Sequence, residues 1–287
     1  MIIYDENFEY GHFRGENRDL ASFFDYIYNK FNIKLNPWDF VVTKDDAREL
    51  AYCYNPLKNV IERIDNLFLT SKIRLKDAGI VEPKDIYQKM AVYGMSEADA
   101  TLITGSFGSG KTLIATAMAL SQTNKKIFIT RPPIGISSAY DIGFMPGDKD
   151  EKMLHWAGGF VSALNFIYKK NPKINYDYIK NALFFEKFEL IPLNMIQGVS
   201  ILEGEILIVD EVQLVTKEYM SMILSRMSEG SKLFLLGDLK QTYKTISKED
   251  SGLYKLLQII PHESLCHVDL QNIYRNKLTE LAMMLNK

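Results

Sequence analysis

Gly105-Ser106-Phe107-Gly108-Ser109-Gly110-Lys111-Thr112 fits the pattern G-x-x-x-x-G-K-[ST]. It lies between the short apolar run Thr101-Leu102-Ile103-Thr104 and a segment whose Leu113, Ala117 and Leu120 recur at helical spacing. Strand, glycine-rich loop and helix thus stand in the order that gives the pattern its meaning. Glycines let successive backbone N–H groups turn inward around phosphate oxygens, the helix start adds partial positive charge, and Lys111 adds a full one. The Thr112 hydroxyl is a candidate ligand for magnesium. The loop reads as a cradle for a nucleoside triphosphate.

Further along the chain, apolar runs of strand length alternate with helical patterns: Lys126-Ile127-Phe128-Ile129, then Ile206-Leu207-Ile208-Val209, then Leu233-Phe234-Leu235-Leu236. Near-continuous apolar strands predict an α/β fold with a mostly parallel sheet flanked by helices. The second run ends in Asp210-Glu211, so two carboxylates stand at the C-terminal end of a buried strand, where parallel sheets bind ligands. Asp210 is placed to hold Mg2+ through its water shell, and Glu211 to orient or deprotonate an attacking water. The third run ends in Gly237-Asp238 with Gln241 three residues on, a side chain able to read a γ-phosphate. Gly-Asp alone is ordinary turn chemistry; its place after the loop and the Asp-Glu pair adds the functional reading.

Composition bounds the answer. The 287 residues are 47% hydrophobic and 24% charged, ordinary for a globular chain, and Lys and Arg number 34 against 36 Asp and Glu. A net charge of −2 offers no global basic field, so any nucleic-acid contact must use a local patch. Cys53 and Cys266 have no ligand-like spacing and the four histidines form no motif, which predicts reduced thiols and no structural zinc. With no basic n-region at the start and no run of 18 apolar residues, the expectation is a cytoplasmic chain that neither enters nor crosses a membrane.

Residues 1–78 read differently from the rest. Leu20, Phe23, Phe24, Ile27, Tyr28 and Phe31 mark one helix face, and Leu57, Val60, Ile61, Ile64 and Leu67 mark another after Asn55-Pro56. The expectation is a small N-terminal helical extension serving docking or subunit contacts, with the nucleotide domain at 79–287. Met153, Trp156, Ala157, Phe160, Val161 and Leu164 give a further helical stripe. After it, Tyr168, Lys169, Lys170, Lys173, Tyr176, Tyr178, Lys180, Phe184, Phe185 and Lys187 interleave rings and bases. That segment is readable as a stacking and phosphate-contacting surface or as an amphipathic helix with a solvated lysine face. Arg131-Pro132-Pro133 at a strand end has two readings as well, a phosphate or coupling contact and a simple cap before a rigid turn.

The ordered set from 79 to 287 resembles the PhoH-like ATPases, a branch of the RecA-like NTPases related to superfamily 1 helicases. The residues that carry the resemblance are Arg131-Pro132, Asp141-Ile142-Gly143-Phe144-Met145-Pro146-Gly147-Asp148 with Glu151-Lys152-Met153, Asp210-Glu211-Val212-Gln213, Leu224-Ser225-Arg226 with Gly230-Ser231-Lys232, Ser251-Gly252-Leu253, and Leu270-Gln271-Asn272-Ile273-Tyr274-Arg275. The resemblance implies a RecA-like fold and Mg2+-dependent ATP hydrolysis in which Lys111, Glu211, Gln241 and Arg275 are catalytic, Arg275 as the transition-state arginine. It implies that Gln88 reads the adenine edge, with ATP as the nucleotide. It implies RNA or single-stranded DNA as partner, and a homo-oligomer, hexameric in the family pattern, because the chain carries no second RecA-like domain after Arg275. Phage and bacterial sources both fit, the former placing the chain in the host cytoplasm.

Departures qualify the match. Ile196-Gln197-Gly198-Val199-Ser200 stands where the family carries arginines on both sides of the glycine, leaving Arg131 and Arg226 as candidates for their service. The first 78 residues are too few for the PIN nuclease domain of some members, so no nuclease activity is expected. The alternative from another class is an ATP-driven protein remodeller or switch with a polypeptide partner, favoured by the near-neutral charge and the missing arginines. A small-molecule kinase fits less well, since 143–190 contains no arginine for a closing lid.

Overall fold

The computed structural model describes residues 1–5, 20–45, 48–76, 78–132, 157–241 and 246–274. The N-terminal part is a four-stranded sheet rather than a helical unit. β1 (Ile2–Tyr4) runs parallel to β2 (Phe40–Asp45), and β2, β3 (Arg48–Asn55) and β4 (Val60–Arg63) form an antiparallel meander. The first expected helix is present as α1 (Leu20–Phe31), with Phe23 and Ile27 buried and Tyr28 exposed.

The second expected helix is instead a turn and a strand. The Asn55 side chain accepts from the backbone N–H groups of Leu57 and Lys58, and Asn59 takes a left-handed φ of 51°, which turns the chain back. The β-branched pair Val60-Ile61 then finds its backbone partners in Asn55 and Tyr54. Cross-strand pairing outweighs an apolar spacing that was equally compatible with a helix.

Strand alternation gives this sheet two faces. Phe40, Val42, Ala51 and Cys53 point into the main core, whereas Val41, Leu50, Tyr52 and Ile61 meet Phe23 and Ile27 of α1. The main core cluster runs without a break from Trp38 and Ile64 to Met90, Tyr93 and Cys266, and the hairpin of β5 (Ile73–Leu75) and β6 (Gly79–Val81) spans the expected boundary at residue 78.

The rest is built on six parallel strands in the order β12-β7-β11-β10-β8-β9: β7 (Ala100–Gly105), β8 (Ile127–Thr130), β9 (Phe188–Leu190), β10 (Ile206–Val209), β11 (Lys232–Gly237) and β12 (Leu265–Leu270). All the expected strands are present, and alternation splits their apolar side chains between two cores. Ile103, Ile208, Phe234 and Leu236 pack beneath α2 (Ile86–Glu97), α3 (Lys111–Gln122) and α4 (Gly158–Tyr168). Leu102, Leu207, Val209 and Leu235 pack beneath α5 (Lys217–Leu224) and α6 (Gly252–Ile259). A sheet covered on both faces explains strands that read as unbroken apolar runs.

Register does the rest of the positioning. Thr104 pairs with Gly237, Gly105 with Leu270, and Val209 with both Thr130 and Leu235. The residues that follow these strands therefore emerge level with one another: the loop after Gly105, Arg131, Asp210, Asp238 and Gln271. Residues 176–187 form a helical segment with a π turn at Ile179–Leu183. There, Phe184 and Phe188 stack in the core at 5.3 Å, while Tyr176, Tyr178, Lys173 and Lys180 face out. No helix among the described residues is long and apolar enough to cross a membrane.

Candidate functional site

The loop after β7 wraps the start of α3. Gly110, the residue before that helix, has φ 94°, and a Cβ there would lie 2.8 Å from Gln88 Nε2, so only glycine fits. Gln88 sits beneath the loop, almost wholly buried, donating from Nε2 to Ser109 O (2.9 Å) and accepting at Oε1 from Lys84 N (2.8 Å). It thus braces the loop, a role its sequence position did not disclose, and it still lines the groove with one amide hydrogen and one carbonyl lone pair beyond those bonds. The Lys111 ammonium bonds Gly105 O (2.6 Å) and Ser106 O (3.1 Å). Burial pushes its pKa below the ordinary lysine value, opposed by the negative charges of Asp238, Asp210, Glu211 and Asp269.

The carboxylates arrive from β10. Asp210 is held by its backbone N–H on Thr130 O (3.0 Å), and burial, reinforced by the charge of Glu211, pushes its pKa up to about 6 against the opposing pull of Arg131. Arg131 Nη2 lies 3.2 Å from Glu211 Oε1, and Nη1 lies 3.9 Å from Asp210 Oδ2. Glu211 has a left-handed backbone, φ 56°, uncommon for a residue with a side chain. Its Oε2 accepts from Gln213 Nε2 at 2.5 Å, and Gln213 Oε1 accepts from Asp238 N at 3.1 Å. A Cβ on Gly237 would lie 2.6 Å from Val212 Cγ2 and 3.2 Å from Gln213 Oε1, so this bridge depends on glycine there. Among the described residues, neither Asp238 Oδ2 nor Ser109 Oγ has a hydrogen-bond partner although both are buried. Buried polar atoms of this kind are uncommon and mark a place of polar chemistry.

β12 flanks the loop from the other side, paired with β7. Thr104 Oγ1 donates to Asp269 Oδ1 (2.7 Å) and lies 2.9 Å from His267 Nε2, and Asp269 Oδ2 accepts from Gln271 Nε2 (2.5 Å). Burial lowers the His267 pKa to about 4. Beyond Gln271 the chain crosses the loop: Tyr274 N bonds Gly108 O (2.9 Å), and Asn272 Nδ2 (2.9 Å) and the Tyr274 hydroxyl both donate to Asp85 Oδ2. Asp85 also caps α2 by accepting from Gln88 N (2.7 Å).

One groove is lined by Gln88, Phe107, Gly108, Gly110, Lys111, Thr112, Asp210, Glu211 and Gln241, whereas Gly105, Ser106 and Ser109 of the same loop are not part of its lining. Arg131 and Tyr274 line it as well. Arg275 and the 141–153 motif lie outside the described residues. A hydroxyl (Thr112) and a half-buried carboxylate (Asp210) form the hard-oxygen donor set that suits Mg2+, an ion that takes few protein ligands and keeps its waters.

Comparison with known proteins gives the family. The profile described as PhoH-like protein matches residues 80–285. Protein PhoH2 of Bacillus subtilis is 33% identical over 168 residues, 56% of this chain and 37% of that protein. A PhoH-like protein of Synechocystis is 27% identical over 208 residues, 70% of this chain and 60% of that one. The chain thus spans between about a third and three fifths of the length of these relatives. Among solved structures, the Pif1 helicase from Candida albicans aligns at 19% identity and a TM-score of 0.36 over 72% of this chain and 44% of that one.

Proposed function

The chain belongs to the PhoH-like protein family, and on that premise we propose that it hydrolyses ATP with Mg2+ and uses the cycle to act on RNA or single-stranded DNA. What supports the reading is the register of five parallel strands together with one groove lined by Lys111, Thr112, Asp210, Glu211, Asp238 and Gln241. In this reading the loop amides and Lys111 hold the phosphates, and Thr112 and Asp210 hold the ion. When bound, Mg2+ would supply positive charge that offsets the charge of the phosphates.

Glu211 orients a water against the γ-phosphorus and takes its proton as the new P–O bond forms. The bond to the β-phosphate oxygen breaks and ADP leaves. Gln241 pairs with a γ-phosphate oxygen, Arg275 meets the charge that builds in the transition state, and Gln88 pairs with the adenine edge. Chains assemble so that a neighbour completes the work on the strand.

Steady-state hydrolysis by the wild type and Glu211→Gln, each alone, with single-stranded RNA and with single-stranded DNA, tests this. Several-fold stimulation of the wild type and a dead Glu211→Gln are expected. Glu211-dependent hydrolysis that ignores both strands would retain the ATPase and move its target to a polypeptide.

A further inference from the structure

Glu211 is gripped at both carboxylate oxygens. Arg131 Nη2 stands 3.2 Å from Oε1 and Gln213 Nε2 donates to Oε2 at 2.5 Å, while the residue's own backbone sits in the left-handed region. Non-glycine residues in that region are held there by their surroundings and cluster at active sites, ligand clamps and switch regions.

The two holders are not equivalent. Gln213 is 3% exposed and accepts at Oε1 from the Asp238 backbone N–H, beside a glycine whose Cβ would lie 3.2 Å from that oxygen. The Arg131 side chain is 20% exposed, lines the groove and stands directly after β8, before Pro132. It is therefore the holder that a ligand can reach.

A guanidinium bonded to a carboxylate occupies one of its lone pairs and stabilises its charge, so the carboxylate is a poorer acceptor for a water proton. A guanidinium also presents a planar fork that matches a phosphate oxyanion at least as well as a carboxylate. We propose that Arg131 is a positioning residue that latches Glu211, and that a backbone phosphate of a bound nucleic-acid strand opens the latch by taking the guanidinium. The proposal rests on the hydrolytic reading above and supplies what that reading lacks, a physical route from strand binding to turnover. The anion need not touch ATP: removing the Arg131 bond frees Oε1 as an acceptor for a water proton.

The test uses the full chain at saturating Mg-ATP, alone and with single-stranded RNA or DNA, comparing wild type, Arg131→Ala, Arg131→Lys and Arg131→Ala with Glu211→Gln. Loss of a partly exposed ion pair should raise strand-free kcat in Arg131→Ala roughly two- to fivefold, with KM for ATP unchanged and no further stimulation by either strand. Arg131→Lys, which keeps the charge but loses the fork, should fall between. The double variant should be silent, which assigns the extra turnover to Glu211.

A lower strand-free kcat in Arg131→Ala, or full stimulation in that variant, overturns the latch. If Arg131→Ala does not fold, an unchanged or reduced strand-free rate in Arg131→Lys overturns it equally. A wild type that hydrolyses ATP yet ignores both strands sinks the latch and leaves the ATPase standing. No turnover in any protein sinks both.

Discussion

The two large sheets of this chain are made of similar residues and do different work. The N-terminal sheet turns one face to α1 and the other to the main core, and its meander sends successive strand ends in opposite directions. The six-stranded sheet is parallel throughout, so its C-terminal ends share one edge and the polar residues after them converge on one groove. Burial is comparable; direction differs. A parallel sheet concentrates chemistry because every crossover returns the chain to the same starting edge.

If that contrast is right, the two sheets fail differently when damaged. The largest effect should come from Lys111→Ala, which removes the cation at the loop: kcat should fall by about 10²–10³ or more while the melting temperature stays near that of the wild type. Ile27→Ala, beneath the N-terminal sheet, should do the reverse, costing about 2–5 kcal/mol in denaturant unfolding and leaving kcat of the folded fraction unchanged. A catalytic loss in Ile27→Ala without loss of stability would break the comparison.

A third measurement probes the seam between β7 and β12. His267 has its pKa lowered by burial from 6.5 to about 4, so between those values the unfolded chain binds a proton that the folded chain refuses. Stability rises with pH wherever the unfolded state binds more protons. This contribution is therefore complete above about pH 6.5 and disappears as pH falls towards 4, a loss of about 3 kcal/mol at most. Unfolding curves at pH 7 and pH 5 should show it, and His267→Gln should flatten the difference; an equal slope in the variant would place the acid sensitivity elsewhere. The smallest effect is expected for Gln88→Ala, about a tenfold loss of ATP affinity with a lesser loss for GTP. An equal loss for both nucleotides would leave Gln88 as the brace of the loop alone.

How far the sequence could be read depended on how local each signal was. The loop, the strand before it and the helix after it are contiguous, and each apolar run carries its own length and composition, so the strands and their terminal carboxylates were legible. The segment 57–67 was misread because its apolar spacing suits a helix and its fate was decided by pairing with β3. The lysine and aromatic segment after α4 had two readings, and packing divided it, turning Phe184 and Phe188 inward and Tyr176 and Tyr178 outward.

The amino-acid sequence by itself determined the phosphate loop, the strand-end carboxylates, the parallel α/β class and the family, because these rest on short contiguous patterns or on their order. Only the tertiary structure decided that Arg131 and Gln213 hold the two oxygens of Glu211, that Asp85 clamps Asn272 and Tyr274 across the loop, and that the N-terminal sheet is continuous with the main core. These contacts join residues far apart along the chain or on separate elements. Hydrogen-bond and charge complementarity over about 3 Å has no signature in spacing, and it comes into being only when register brings the partners to one edge.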